Sequence, residues 1–105
     1  MAINSRGKRK VTLDNQKYYW HVLEDWGRTE FDGVQIRIIP LNQSFLISYG
    51  IKQIESKRYL FICLKNDGSR LRLYCPKFEN ENDIMTNHGI KNILIWCRNT
   101  IEKKS

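Results

Sequence analysis

The hydrophobic pattern of this chain of 105 residues changes period once, and that change limits what the chain can fold into. Up to Pro76, apolar and polar residues alternate in short segments, which is typical of β-strands with one buried face. Beyond it, apolar residues form one helical stripe: Ile90, Ile93, Leu94, Cys97 and Ile101. We therefore predict an α+β domain, an antiparallel β-meander of about five to six strands packed on one face by a single C-terminal α-helix.

The strongest hairpin signal is Asp67-Gly68, because glycine tolerates the positive φ that two-residue hairpin turns require. A three-residue loop would set Leu64 against Arg70, so the alternation favours the two-residue loop. The expected core-facing pairs are Leu64–Leu71, Ile62–Leu73 and Leu60–Cys75.

The first hairpin has a weaker signal, since its turn lacks glycine. With Asn15-Gln16 as the turn, the apolar faces of the two strands coincide. Two further strands are predicted over residues 34–38 and 44–51. The expected pairs of the first hairpin are Leu13–Tyr18 and Val11–Trp20, and the sheet also offers Val22, Ile36 and Ile38 to the helix.

A single helix covers one face of a sheet and leaves the other face without a partner layer. In this chain the second face combines aromatic and basic residues, so any hypothesis about function begins there. Its candidate binding or dimer residues are Tyr19, His21, Arg37, Tyr59, Phe61, Arg70, Arg72 and Tyr74.

The charge balance raises the chance of an anionic partner. Lys and Arg number 18 against 11 Asp and Glu, a net charge of +7. Residues 1–9 are predicted to be a flexible basic arm, and residues 10–105 the single domain. The candidate phosphate-contacting residues at this end of the chain are Arg6, Lys8, Arg9 and Lys10.

Three interpretations of the aromatic and basic face remain open. Tyr and Phe are simply good strand residues, an uncovered aromatic face is a usual place for homodimers, and aromatic rings interleaved with arginines hold single-stranded nucleic acid. We predict a non-enzymatic binding or interaction protein that self-associates through this face as a homodimer. The alternative is a single-stranded nucleic-acid-binding protein using the same face.

No catalytic, cofactor or metal site is predicted. His21 and His88 have no partners at metal-ligand spacing. The acidic residues Glu79, Glu81 and Asp83 lack the glycine of a calcium loop and are expected to form a solvated connection. The three cysteines are odd in number and have no CxxC spacing, so reduced, mostly buried thiols are expected. With no apolar run long enough for a membrane helix, we expect a cytoplasmic protein.

The opening segment Val11-Thr12-Leu13-Asp14, followed by Tyr18 and Trp20, resembles the first hairpin of a group of small uncharacterised bacterial proteins. In that group such a hairpin leads into a meander, an L-x-L strand followed by proline, and a final helix. Leu71-Arg72-Leu73, Pro76 and the helix from Asn87 match the later parts. The chain departs from the group at Met85-Thr86-Asn87, where a proline is usual. The resemblance implies a fold and no activity, and such proteins are similar to the products of mobile gene cassettes.

Overall fold

The computed structural model describes residues 9–25, 33–51, 53, 57–66, 68–82 and 84–104. Within these residues the chain forms six strands and one helix, in agreement with the change of hydrophobic period. The elements are β1 (Arg9–Leu13), β2 (Gln16–Asp25), β3 (Gly33–Pro40), β4 (Phe45–Gly50), β5 (Tyr59–Leu64), β6 (Arg70–Tyr74) and α1 (Asn87–Lys104).

The sheet is an antiparallel meander in which the spatial order of the strands equals their order in the chain, from β1 to β6. The predicted α+β fold is therefore confirmed. The helix packs on one face of the sheet, and the face turned away from it is called the outer face below. Strands β1 and β6 form the two edges.

The turn of the first hairpin differs from the prediction by one position. Asp14 and Asn15, rather than Asn15 and Gln16, form the turn, and their φ angles are 51° and 67°. Positive φ at both positions defines the turn that matches the twist of a hairpin, and Asp and Asn tolerate it. Leu13 therefore lies opposite Gln16, and Val11 lies opposite Tyr18.

The β5–β6 hairpin departs from its predicted register in the same way. Ile62 pairs with Leu71 rather than with Leu73, because the loop spans four residues instead of two. The backbone N–H of Leu64 donates to the carbonyl of Ser69 at 2.9 Å, which closes this loop. Gly68 lies within the loop and has a φ of 70°. In both hairpins the pairing slips by two residues, which leaves every side chain on its predicted face.

The core lies between α1 and the centre of the sheet. Four of the five stripe residues of the helix are buried, as predicted. The prediction of a buried side chain is wrong at four positions, because one helix covers only the middle of a six-stranded sheet. The fully buried sheet residues include Trp20, Ile36, Ile38, Ile47 and Leu60, and the exposed ones predicted to be core are Val22, Leu64, Leu71 and Ile101.

The start of α1 is fixed by side chains on both sides of the helix terminus. The Thr86 hydroxyl accepts a hydrogen bond from the Gly89 backbone N–H at 3.2 Å, a helix N-cap. Trp20 Nε1 donates to Asn87 Oδ1 at 2.8 Å and ties this end of the helix to β2. A Cβ at Gly89 would lie 2.6 Å from Met85 Sδ and 3.1 Å from the Phe78 carbonyl oxygen, so a larger residue there would force the buried Met85 to shift.

Candidate functional site on the outer face

One row of side chains crosses the outer face from β2 to β6. Neighbouring strands place successive members of this row opposite one another, because strand pairing fixes which residues are level. Arg37 on β3 and Arg72 on β6 are therefore three strands apart. The Ser48 hydroxyl and the Phe61 ring lie between them. The row is His21, Arg37, Ser48, Phe61 and Arg72.

The arginines of β6 lie over aromatic rings of β5. Arg72 Cζ is 5.0 Å from the Tyr59 ring centroid and 5.6 Å from that of Phe61. Arg70 Cζ is 5.6 Å from the Phe61 centroid. A guanidinium held over a ring gains cation–π energy and leaves donors at its edge for hydrogen bonding. Tyr59 also contacts Phe61 and Tyr74 edge-to-face, so these five side chains form one cluster.

The outer face is less open than the sequence predicted. Phe61 is only 9% exposed, and Gln35 and Ser48 are buried as well. The expectation that Phe61 offers its ring to a partner is therefore wrong, and the arginines that lie over it explain part of its burial. Tyr74, at the edge of the sheet, is 66% exposed and is the accessible ring of the cluster.

A groove of about 430 Å³ lies on the same face, at the end nearer the β3–β4 turn. Its walls are mainly apolar, and Lys65 lies at its rim. Lys10 Nζ is 5.8 Å from the centroid of Tyr19, one of its lining rings. The groove thus combines apolar walls with two nearby cations, Lys65 and Lys10. Its outer-face lining includes Tyr19, Ile39, Leu46 and Cys63.

Of the four basic residues predicted to act together, the two that the structure describes lie on opposite faces of the sheet. Arg6 and Lys8 lie outside the described residues. Arg9 and Lys10 belong to β1, so the strand begins within the segment predicted to be a flexible arm. Successive strand residues point to opposite faces. Accordingly Arg9 Cζ lies 5.2 Å from the Trp20 ring centroid on the helix side, and Lys10 joins the outer face.

A buried polar cluster on the helix side was missed from the sequence. Tyr49 Oη donates to Glu79 Oε1 at 2.6 Å, and Arg58 Nη1 donates to Tyr49 Oη at 2.9 Å. Arg58 also pairs with Glu79 Oε2 at 3.2 Å, with both side chains buried. The prediction that Glu79 is solvated is therefore wrong, while Glu81 is exposed and Asp83 lies outside the described residues.

This cluster anchors the connection between β6 and α1 to the sheet. The Phe78 backbone N–H donates to Tyr49 Oη at 3.2 Å. Burial, together with the hydrogen bond to Glu79, raises the pKa of Tyr49 well above its usual range. No local pattern identifies such a cluster, since its ionic partners are 21 positions apart in the sequence.

The thiols of Cys75 and Cys97 lack the low pKa of reactive cysteines. Burial raises the pKa of Cys75 to about 12 and that of Cys97 to about 12. A high pKa keeps a thiol protonated at neutral pH, and the thiolate is the nucleophile. Cys63, on the outer face, is half-buried, and all three thiols are free.

In the part of the chain that the structure describes, no three or more His, Cys, Asp or Glu residues are grouped to hold a metal ion. His88 is exposed at the start of α1, and His21 is level with Arg37. None of the described helices is long and apolar enough to cross a membrane.

Comparisons with protein-family models, with curated proteins and with solved structures found no match to this chain. The resemblance of its opening hairpin to small bacterial proteins therefore stays a prediction. The geometry of the outer face is therefore the basis for inferring a function.

Proposed function

We propose that the protein binds single-stranded nucleic acid on the outer face, without catalysing a reaction. The observation that carries the proposal is the arrangement of cationic side chains over aromatic rings. Arg70 and Arg72 lie over the rings of β5, and Lys10 lies over Tyr19. The charged side chains that the structure describes on this face are cationic, and they include Lys10, Arg37, Arg70 and Arg72. Such a surface attracts a polyanion.

Each part of the surface has a role in this proposal. The guanidinium groups of Arg37 and Arg72 bind phosphates, because their planar forks match phosphate oxygens. Bases stack on the exposed ring of Tyr74 and on the apolar wall of the groove beside Tyr19. Phe61 acts as a support for the arginines rather than as a stacking platform, because it is buried.

Self-association through the outer face is the second candidate, favoured by the exposed ring of Tyr74 on edge strand β6. A two-fold interface brings the same patch of both copies together. In such an interface the cations Lys10, Arg37, Arg70 and Arg72 of one copy would face the same group of cations on the other copy. Like charges in contact are unfavourable. The positive charge of the face therefore favours nucleic-acid binding over self-association. A cytoplasmic location remains a prediction that agrees with either function.

The test is fluorescence anisotropy with labelled oligothymidylate and oligouridylate at several salt concentrations. Affinity is expected to fall steeply with salt, because each neutralised phosphate releases counterions. Arg72→Gln should lower the salt slope by about one. Tyr74→Ala should cost about 1–3 kcal/mol of binding free energy if a base stacks there.

Lys91→Gln provides the matched control, because it removes the same charge from an exposed position on the helix, away from the outer face. If Arg72→Gln and Tyr74→Ala bind no more weakly than Lys91→Gln, the affinity is general attraction to a basic protein and the proposal is wrong. Sedimentation of the wild type and of Tyr74→Glu tests the second candidate. A wild-type dimer that becomes monomeric in Tyr74→Glu would favour self-association instead.

A further inference from the structure

A second cavity lies on the opposite side of the sheet, between the C-terminal half of α1 and the end of the sheet where β1 turns into β2. Its volume is about 460 Å³, within the range of small-molecule sites. At its mouth Leu64 and Ile101 remain partly exposed, at 41% and 43%. Its floor is apolar and buried, formed by Ile47, Ile62, Leu94 and Cys97.

The polar groups of this cavity lie at one side. Arg98 Nη1 donates to Asp14 Oδ2 at 2.6 Å, joining the helix to the β1–β2 turn. Tyr18 Oη donates to Gln16 Oε1 at 3.1 Å beside this pair. Both members of the ion pair are exposed, and exposed pairs contribute little net free energy. A carboxylate from outside can therefore compete with Asp14 for Arg98.

We propose that this cavity binds a small amphipathic carboxylate, an aliphatic acid with an unbranched chain. The chain lies on the apolar floor, and the carboxylate pairs with Arg98 in place of Asp14. The mouth holds a cation and a carboxylate, and the net charge of +7 on the chain favours an anionic ligand over a cationic one. A guanidinium binds a carboxylate with two parallel hydrogen bonds, which favours a carboxylate among anions. The site is on the helix side of the sheet and does not depend on the function proposed for the outer face.

The first experiment is calorimetric titration of the full chain with octanoate, decanoate, octanol and octylamine, each below its micellar concentration. Burying a methylene group strengthens binding about fourfold, so decanoate, with two more methylenes, should bind roughly fifteenfold tighter than octanoate. Octanoate should bind more tightly than octanol, and octylamine most weakly. No octanoate binding, or equal affinity for octanoate and octylamine, would overturn the proposal.

Two variants of the ion pair test the role of Arg98. Asp14→Asn removes the competing carboxylate and keeps a residue that tolerates positive φ. Octanoate should then bind several-fold more tightly. Arg98→Gln should abolish the preference for octanoate over octanol. If Asp14→Asn weakens octanoate binding, the ion pair is only a structural link and the proposal fails.

Two leucines form a matched pair for testing the location. Leu64 lies at the cavity mouth, while Leu71 on the neighbouring strand is equally exposed, at 42%, and does not line the cavity. Leu64→Trp should block octanoate binding, and Leu71→Trp should leave it unchanged. Equal effects of the two variants would place the ligand elsewhere and contradict the proposal. A wild-type dimer that excludes octanoate would show that a second copy occupies the mouth, which also contradicts it.

Discussion

Arginine is stacked on tyrosine on both faces of the sheet, with opposite consequences. On the helix side Arg58 lies 5.8 Å from the Tyr49 ring centroid and is neutralised by Glu79. On the outer face Arg72 lies 5.0 Å from the Tyr59 centroid, and no carboxylate among the described residues pairs with it. The first arginine is part of the fold because its charge is already compensated. The second presents its charge at an exposed position, where it can attract an anion from solution.

The largest expected effect is on the helix side. Glu79→Gln removes the charge that compensates Arg58, and a buried ion pair that loses one partner is destabilised by about 3–5 kcal/mol. Chemical denaturation measures this free energy of unfolding. Arg58→Met combined with Glu79→Gln should be less destabilising than the sum of the two single variants. Additive effects would mean that the two side chains do not compensate each other.

The next effect concerns the apolar core between the helix and the sheet. Leu94→Ala or Ile62→Ala should lower the free energy of unfolding by about 2–5 kcal/mol, because each leaves a cavity beneath the helix. Leu71→Ala, in the same sheet but exposed, should be nearly neutral. Urea unfolding curves compare the three variants. A silent Leu94→Ala would show that the helix does not pack as described.

A third effect is confined to alkaline pH. The pKa values of Cys75 and Cys97 are about 12 in the fold, above the ordinary value of 9.0. Below pH 9 both thiols are protonated in the folded and unfolded chain, and their contribution to stability is fully present. Between pH 9 and 12 the unfolded chain releases these thiol protons while the folded chain keeps them, so that contribution is lost. The free energy of unfolding should fall over this range, and Cys97→Ala should reduce the fall. An unchanged pH profile in Cys97→Ala would contradict the assignment.

The smallest expected effect separates the two arginines most sharply. Arg72→Gln should lower the free energy of unfolding by about 1 kcal/mol or less, since Arg72 is exposed, pairs with no described carboxylate and loses only its cation–π contacts. Thermal unfolding measures the difference directly. A loss comparable to that of Glu79→Gln would mean that Arg72 is also structural, and the comparison between the two faces would not hold.

Periodicity predicted the faces of the sheet and left the registers open. Val11 and Leu71 lie on their predicted face although both hairpins slip by two residues, because alternation is unchanged by such a slip. The register depends on turn geometry instead. The Asp14-Asn15 turn has a readable signal, since both residues tolerate positive φ, whereas the four-residue loop after Leu64 has none.

The candidate site was predictable only as a list of residues sharing a face. That Arg72 lies over Tyr59, or that Phe61 is buried beneath arginines, depends on how side chains settle on one another rather than on any spacing in the sequence. The buried pair of Arg58 and Glu79 is harder still, because its partners come from separate elements and each residue alone indicates a solvated surface.

The order of the strands has a consequence for how the chain folds. Every strand pairs with the next one along the chain, so each pairing joins segments that are neighbours in the sequence. Closing short loops costs little entropy, and chains with mainly local contacts fold faster than sheets with crossover connections. We therefore expect the hairpins to assemble one after another. The start of the helix docks against β2, where Trp20 holds Asn87, so its final position depends on a strand formed early in the chain.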